Sequence, residues 1–211
     1  RLAAAFVSQR NSLVIGVSGR KTRKKFCGLL YYLNRRAMNK SILIVMGGTA
    51  SDDMASDKAY GKYVKEFKTI YVETEGMKQT LLDAGISNVG IYPNGRFRPK
   101  TQIKSNTSER LRCVFFSKIC EMKGCTEILE AARLMPEVDF SFYGEVDVEY
   151  RDYFDAQMEN ATNVNYLGVF SGSPADVYNE LSKYDVLLFP TKYTIEGVPG
   201  ILAEAKISAT R

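Results

Sequence analysis

Short apolar runs alternate with amphipathic stretches along almost the whole chain, and this alternation limits its possible folds more than any other feature. Apolar runs of four or five residues, such as Leu13–Val17, Ile42–Met46 and Val89–Tyr92, are separated by stretches such as Lys21–Met38, in which apolar residues recur every three or four positions. Continuous apolar strands between amphipathic helices are typical of a parallel sheet that is covered on both faces. The sequence therefore predicts an α/β fold.

The same pattern gives an order of elements. The predicted strands are Leu13–Val17, Ile42–Met46, Thr69–Glu73, Val89–Tyr92, Arg112–Ser117, Asp139–Tyr143, Val164–Leu167 and Asp185–Pro190. The predicted helices are Lys21–Met38, Asp57–Phe67, Gly76–Ala84, Cys125–Met135, Tyr150–Met158, Pro174–Tyr184 and Gly200–Ile207. Two tandem series of β/α units indicate two Rossmann-like domains that face a cleft.

A polar segment and a change in the sign of the charge both mark a boundary in the middle of the chain. Pro93–Glu109 has no apolar period, which is typical of an interdomain linker. Residues 1–106 carry 19 basic and 7 acidic side chains, whereas residues 107–211 carry 10 basic and 17 acidic ones. We therefore expect domains at 1–94 and 111–211, joined by a linker at 95–110, with different partners for each domain. The sequence starts at Arg1, so we expect the N-terminal domain to be incomplete.

The absence of histidine excludes several kinds of enzyme. With no histidine in 211 residues, the chain has no Ser-His-Asp or Cys-His catalytic set and no histidine ligand for zinc or haem. Its four cysteines are expected to be reduced thiols of a cytosolic protein. A metal site at Cys113, Cys120 and Cys125 would lack a fourth ligand at a normal spacing, so no metal is predicted.

The stretch from Asp185 to Ala205 holds the most informative candidate site. A buried strand ends at Pro190, a loop carries Glu196-Gly197, and a helix starts near Pro199-Gly200. Ligands of open α/β sheets bind outside the carboxyl ends of strands, and free N–H groups at a helix start favour a phosphate. Glu196 and Glu204 are eight residues apart and are expected to face one cleft, where carboxylates bind hydroxyl groups.

The second half of the chain resembles the retaining glycosyltransferases of the large family-four group, which have the two-domain GT-B fold. The Glu196…Glu204 pair resembles the glutamate pair of that family. The stretch from Val114 to Gly124 is similar to its first donor-domain strand and loop, with Lys118 where arginine is usual and a Lys123-Gly124 pair after it. The strand and glycine turn of Phe140–Gly144, and the order of the elements that follow, continue the resemblance over nearly all of residues 111–205.

The resemblance implies a sugar transfer from a UDP- or GDP-linked donor, with retention, by a metal-independent enzyme of the hexosyltransferase type without a cofactor. Lys118 and Lys123 would hold the diphosphate, Glu204 would bind the ribose, and Glu196 would be the catalytic residue that contacts the transferred sugar. The donor-binding set would be completed by Gly144, Gly197, Val198, Pro199 and Gly200. The acceptor would be a glycan or a lipid-linked glycan in polysaccharide biosynthesis. The lack of histidine is a departure, since many members place one near the reacting centre.

The first half carries a strongly basic stretch with three open interpretations. Arg20–Lys40 has eight basic side chains and no acidic one. It can be a helix that lies on an anionic membrane surface or meets the acceptor, or a solvated helix that packs its apolar face on the core, or an RNA-binding element, for which no recognition module is present. We expect a membrane or acceptor surface and no nucleic acid. Its predicted residues are Arg20, Lys21, Arg23, Lys24 and Lys25.

Other functions stay open at this point. Gly16–Thr22 follows a strand but lacks the spacing of a phosphate-binding P-loop. A catalytically inactive nucleotide-sugar-binding subunit and a sugar-nucleotide epimerase are the alternatives to the transferase. The longest apolar runs are too short to span a bilayer, and we expect a cytoplasmic protein in peripheral contact with the inner face of a membrane.

Overall fold

The computed structural model describes residues 12–17, 19–96, 98, 109–193 and 197–210. The chain divides into two units. The first comprises Arg1–Asn94 together with Thr194–Val198, and the second comprises Gly95–Tyr193 together with Pro199–Arg211. Each unit is built around its own parallel sheet, which confirms the predicted α/β class.

The first unit holds a four-stranded sheet in the order β1-β2-β3-β4, with every neighbouring pair parallel. Its strands are β1 Val14–Gly16, β2 Ile42–Ile44, β3 Thr69–Val72 and β4 Val89–Ile91. Its helices are α1 Arg20–Leu33, α2 Arg35–Met38, α3 Ala50–Ser56, α4 Lys58–Val64 and α5 Glu75–Asp83. Because a helical segment follows each of the first three strands, the sequential order is reached by short crossovers.

The second unit holds a four-stranded parallel sheet in the order β7-β6-β5-β8. Its strands are β5 Arg112–Phe116, β6 Asp139–Tyr143, β7 Val164–Tyr166 and β8 Val186–Leu188. Its helices are α6 Cys125–Leu134, α7 Arg151–Glu159, α8 Asp176–Leu181 and α9 Gly200–Ile207, with 3-10 turns at Glu121–Lys123 and Val148–Tyr150. The chain runs outward from β5 to β7 and then returns to the other side of β5 as β8, so the order reverses between β5 and β8.

Both faces of the second sheet are covered, as the continuous apolar strands predict. On β5, Cys113 and Phe115 enter the cluster under α6 and α7, whereas Val114 enters a separate cluster with Leu181 and Ala205 from α8 and α9. Successive side chains of a strand point to opposite faces, so a strand that is buried on both faces needs an unbroken apolar run. This burial agrees with the position of β5 inside the sheet, between β6 and β8.

Two elements of the first unit differ from the prediction. The predicted helix Lys21–Met38 is broken at Asn34, which has φ −152° and whose side chain accepts a hydrogen bond from the Ala37 N–H at 3.1 Å. Asparagine is a strong N-cap, and here it starts a second, short helix. Helix α3 was not predicted, because its seven residues are too few to show a helical period.

Candidate active site

The carboxyl ends of β5 and β8 meet at the point where the strand order of the second sheet reverses. The loop after β5 and the segment after β8 pack directly on each other there. The N–H of Lys192 donates to the carbonyl of Met122 at 2.9 Å, and the Nζ of Lys192 lies 2.5 Å from Glu127 Oε1. In open α/β sheets this reversal point is where ligands bind. The candidate site is therefore the edge formed by these two loops.

Gly124 makes this close packing possible. It has φ +77°, and a Cβ atom there would lie 2.2 Å from the carbonyl oxygen of Pro190. Glycine adopts positive φ without a steric penalty and lets two backbones touch. The Lys123-Gly124 pair thus has a structural reason, since the glycine brings the lysine against the end of β8.

Lys123 lies half-buried between two aromatic rings from the segment after β8. Its Nζ is 4.9 Å from the ring centroid of Tyr193 and 5.7 Å from that of Phe189. Burial lowers the pKa of Lys123, although the nearby thiols of Cys120 and Cys125 oppose this shift. A partly desolvated ammonium beside aromatic faces keeps a strong field toward any anion that approaches it.

Lys118 is placed differently from Lys123, although both follow β5. It is exposed and forms an ion pair with Asp147, which lies beyond the end of β6. The hydrogen bond between the two side chains raises the pKa of Lys118 and lowers that of Asp147. The role of Lys118 at a diphosphate stays a prediction, and it requires the lysine to exchange Asp147 for a phosphate.

Gly144 closes the other side of the β5 loop. It has φ +147°, and a Cβ atom there would lie 1.8 Å from the carbonyl oxygen of Ser117. Its N–H donates to the carbonyl of Gly168 at 2.9 Å. The predicted glycine turn is therefore a place where the chain after β6 lies against the chain after β5.

Helix α9 begins at Gly200 beside this edge, with Pro199 as its N-cap. In the described part of the chain no side chain caps it, so the first N–H groups of α9 can take an anionic ligand. Glu204 lies on this helix and accepts a hydrogen bond from Arg96 Nε at 2.6 Å. The same guanidinium covers Gly200, because a Cβ atom there would lie 1.6 Å from Arg96 Nη2.

The predicted glutamate pair is only partly described. Glu196 lies outside the described residues, so its predicted contact with the sugar stays a prediction. Gly197 and Val198 follow it and belong to the first unit, whereas Pro199, Gly200 and Glu204 belong to the second.

Comparison with known proteins gives the fold. No family profile matches the sequence, and no curated protein matches it. Many solved structures do match, at low sequence identity. They include HepE of Anabaena, solved with UDP, at 13% identity and a TM-score of 0.69, over 98% of this chain and 60% of that one. A UDP-forming trehalose-phosphate synthase of Burkholderia vietnamiensis has 12% identity and a TM-score of 0.68, over 98% and 58%.

A third match is the pneumococcal O-GlcNAc transferase GtfA, solved with UDP and GlcNAc, at 18% identity and a TM-score of 0.54. It matches over 85% of this chain and 38% of that one. The fold is GT-B. The chain spans less than two thirds of the length of each of these three proteins. At this level of identity the likeness establishes the GT-B fold and leaves the activity to be argued from the site.

The first unit of this GT-B chain corrects one prediction about the basic surface. Arg23 is not on that surface: it is only 4% exposed, and its Nε donates to the Tyr60 hydroxyl at 2.6 Å. Its Nη2 lies 3.7 Å from Asp53. The physical reason is helical phase, since Arg23 shares the inward face of α1 with Cys27 and Leu30. Asp53 lies in the first turn of α3.

The other four predicted surface residues lie near the start of α1 and are accessible to different degrees. Arg20 Nε is 3.2 Å from Asp53, and Lys24 pairs with Asp57. Lys21 and Lys25 are exposed, and among the described residues no ion pair involves either of them. The positive charge that is accessible near the start of α1 is therefore smaller than the number of basic residues suggests.

Three residues of the GT-B chain that the sequence did not single out have notable positions: Arg96 at Glu204, Glu73 at the end of β3, and Asn94 after β4. Arg96 and Asn94 fall in or beside a polar stretch that looked like a simple linker. Glu73 is the last residue of a predicted strand. Its side chain is only 5% exposed, and this burial of a carboxylate is visible only in the structure. Within the described residues, no group of three or more cysteine, aspartate or glutamate side chains could hold a metal ion.

Proposed function

We propose that the chain belongs to a glycosyltransferase that moves a sugar from a UDP- or GDP-linked donor to a glycan or lipid-linked acceptor, with retention of the anomeric configuration. The observation that carries the proposal is the position of Lys123. It is held by Gly124 between the aromatic rings of Phe189 and Tyr193, at the reversal point of the second sheet. The GT-B fold, shared with proteins that were solved with UDP, supports it.

The reaction needs stabilisation of a leaving group. The bond between the anomeric carbon and the donor phosphate oxygen breaks, and the nucleoside diphosphate gains negative charge as it leaves. The ammonium of Lys123 and the first N–H groups of α9 would supply fixed positive charge for that oxygen. Lys118 would add a second cation once its carboxylate partner has been exchanged. No step assigned to these residues uses a metal.

The sugar and ribose are assigned to carboxylates. Glu204 would accept hydrogen bonds from the ribose hydroxyls, and Arg96 already donates a hydrogen bond to its carboxylate. Glu196 would contact the transferred sugar. Gly144, Gly197, Val198, Pro199 and Gly200 stay predicted donor-binding residues. In the structure, the space beside the three glycines is filled by Ser117, Glu73 and Arg96 respectively.

The test is a calorimetric titration with UDP, GDP and ADP, followed by a turnover assay with the sugar donors of the base that binds. We expect micromolar to millimolar binding of UDP or GDP and release of the diphosphate with an acceptor present. If none of the three nucleotides binds, the proposal is contradicted. Proton NMR of the product's anomeric signal tests retention, and turnover in EDTA tests metal independence.

A binding subunit without turnover is the second candidate, because the chain has no histidine to serve near the reacting centre. It predicts nucleotide-sugar binding in the same calorimetric experiment with no product over a panel of acceptors. An epimerase would instead convert the donor sugar without any acceptor. The three outcomes are distinct in one set of assays.

We further propose that the first unit meets an anionic membrane, which would suit a lipid-linked acceptor and a peripheral location. The outer side of α1 exposes Lys21 and Lys25 near its start, followed by Leu29, Tyr32 and Leu33 near its end. Tyr32 and Leu33 are 72% and 65% exposed, although the Tyr32 ring also lies edge-on to the rings of Tyr31 and Tyr63. Basic and aromatic residues on one helix side favour the interface of an anionic bilayer. No helix among the described residues is long and apolar enough to cross a membrane.

Co-sedimentation with vesicles tests this surface. We expect binding to vesicles with phosphatidylglycerol and little binding to phosphatidylcholine alone. Replacing both Lys21 and Lys25 by alanine should weaken binding by about 1 kcal/mol for each lysine near the surface. The matched control replaces Lys58 and Lys68, two exposed lysines of the same unit, and should leave binding unchanged. Equal loss in both variants would indicate a nonspecific charge effect and contradict the assignment.

A further inference from the structure

Residues that follow β3 and β4 of the first sheet contact one short backbone segment, Gly197–Val198. Glu73 follows β3 directly, and its side chain is buried. Its Oε2 accepts a hydrogen bond from the N–H of Gly47, which follows β2, at 2.8 Å. A Cβ atom on Gly197 would lie 2.0 Å from that same oxygen. The carboxylate is therefore packed between two glycines from distant parts of the chain.

Asn94, which follows β4, binds the next residue of the same segment. Its Nδ2 donates to the carbonyl of Val198 at 2.8 Å. Both contacts lie inside the first unit, which includes Thr194–Val198 although 95–193 belong to the second. Two side chains from adjacent strands therefore hold two consecutive residues.

The glycines are necessary for this arrangement. Gly47 has φ +99°, a conformation that presents its N–H to the carboxylate and that other residues rarely adopt. Gly197 leaves the space that Glu73 fills. A buried carboxylate is stable only where donors satisfy it, and a bond from a backbone N–H to a charged acceptor is stronger than a neutral one.

We infer that Glu73 and Asn94 are positioning residues that hold the Gly197–Val198 backbone in place, the two residues that come directly before Pro199 and the start of α9. The inference rests on the proposed function, because Glu196 and the first residues of α9 are the groups proposed to meet the donor. Neither Glu73 nor Asn94 is assigned a contact with substrate. They act through the segment they hold.

Hydrogen exchange of the full chain tests the anchoring without reference to activity. We expect Asn94→Asp, which keeps the shape but replaces the donor by a carboxylate, to speed exchange in peptides that cover 197–201 about tenfold. Glu73→Ala should speed exchange at Gly47 and in 197–201 to a similar extent. The matched control is Glu75→Gln, which alters an exposed acid two residues along and should leave both regions unchanged. Unchanged exchange in Asn94→Asp and Glu73→Ala would overturn the inference.

Kinetics then separate a positioning role from a purely structural one. With a donor that the wild-type protein turns over, kcat should fall about tenfold to a hundredfold in Asn94→Asp, while affinity for the free nucleotide diphosphate stays within about threefold. A parallel loss of nucleotide affinity and of melting temperature would mean general destabilisation and would contradict a positioning role. Glu73→Gln, which keeps the volume and an acceptor oxygen, should recover part of the loss seen in Glu73→Ala. If the wild-type protein binds no nucleotide, the proposed function fails, and the exchange data alone decide whether the segment is anchored.

Discussion

Arg96 Nε donates to Glu204 Oε1 at 2.6 Å, across 108 positions of sequence, and the same guanidinium covers Gly200 at the start of α9. A helix that begins with two small or rigid residues, Pro199 and Gly200, leaves room for a planar cation at its first turn. This pair fixes the carboxylate proposed to bind ribose before any ligand is present. Both residues belong to the second unit.

Arg96→Ala should lower the free energy of unfolding by about 0.5–1 kcal/mol, because the pair is partly exposed to solvent. Glu204→Gln should cost a similar amount. The double variant should cost less than the two single changes together, since both remove one interaction. Denaturant unfolding of the four proteins measures the coupling, and strict additivity would mean that the two side chains do not interact in solution.

Arg23→Ala should destabilise the chain by about 2–4 kcal/mol. The change leaves a cavity beside Tyr60 and removes a cation from Asp53, and both losses lie in the core of the first unit. Lys25→Ala is the matched control, because Lys25 is exposed on the same helix and should change the stability by less than about 0.5 kcal/mol. Thermal and denaturant unfolding both report the difference. Equal effects of the two changes would contradict the buried position of Arg23.

Gly124→Ala and Gly144→Ala should each cost more than about 1 kcal/mol of stability, because both residues have positive φ and each Cβ would overlap a backbone oxygen. Gly16→Ala is the control, since a Cβ there meets nothing within 4 Å. Both site variants should also lose nucleotide binding, as the loops after β5, β6 and β8 would separate. Tolerance of alanine at Gly124 would show that the loops after β5 and β8 do not touch as described.

Alkaline pH should destabilise the protein partly through Cys27. Burial raises the pKa of this thiol to about 12 from a usual value of 9.0. The folded state therefore keeps a proton that the unfolded state loses, so the contribution is complete below pH 9 and is lost as the pH rises toward 12. The free energy of unfolding should fall by on the order of 1 kcal/mol per pH unit above pH 9 through this group. Cys27→Ala should flatten the pH dependence of the free energy of unfolding between pH 8 and 10.5. The smaller side chain also changes the stability, but by an amount that does not depend on pH.

Lys123→Ala should weaken UDP or GDP binding by about 1–3 kcal/mol if the ammonium makes a charge-assisted bond to the diphosphate. Lys183→Ala is the control, because Lys183 is an exposed lysine of the same unit that pairs with Glu180. Isothermal titration measures both variants against the wild-type protein. An unchanged affinity in Lys123→Ala would remove this lysine from the donor site.

Much of the fold could be predicted from the sequence, because buried parallel strands leave a strong local signal. Asp139–Tyr143 and Gly200–Ile207 have the predicted bounds, and the other strands are shortened by a residue or two at their ends. Helices without a long period, such as Ala50–Ser56, left no such signal. The break at Asn34 was missed because the apolar period continues across it, while the capping bond is a local detail of the side chain.

The sequence by itself determined the α/β class, the order of the strands along the chain and the glycines at the loop ends, because periodicity and backbone freedom are local properties. Only the tertiary structure decided that β8 returns to the far side of β5 and that Arg23 is buried whereas Lys25 is exposed. It also decided that Arg96, Asn94 and Glu73 each reach a residue more than a hundred positions away. These are outcomes of packing. A side chain's partner depends on which distant segments the sheet order brings to one edge, and no local pattern records that order.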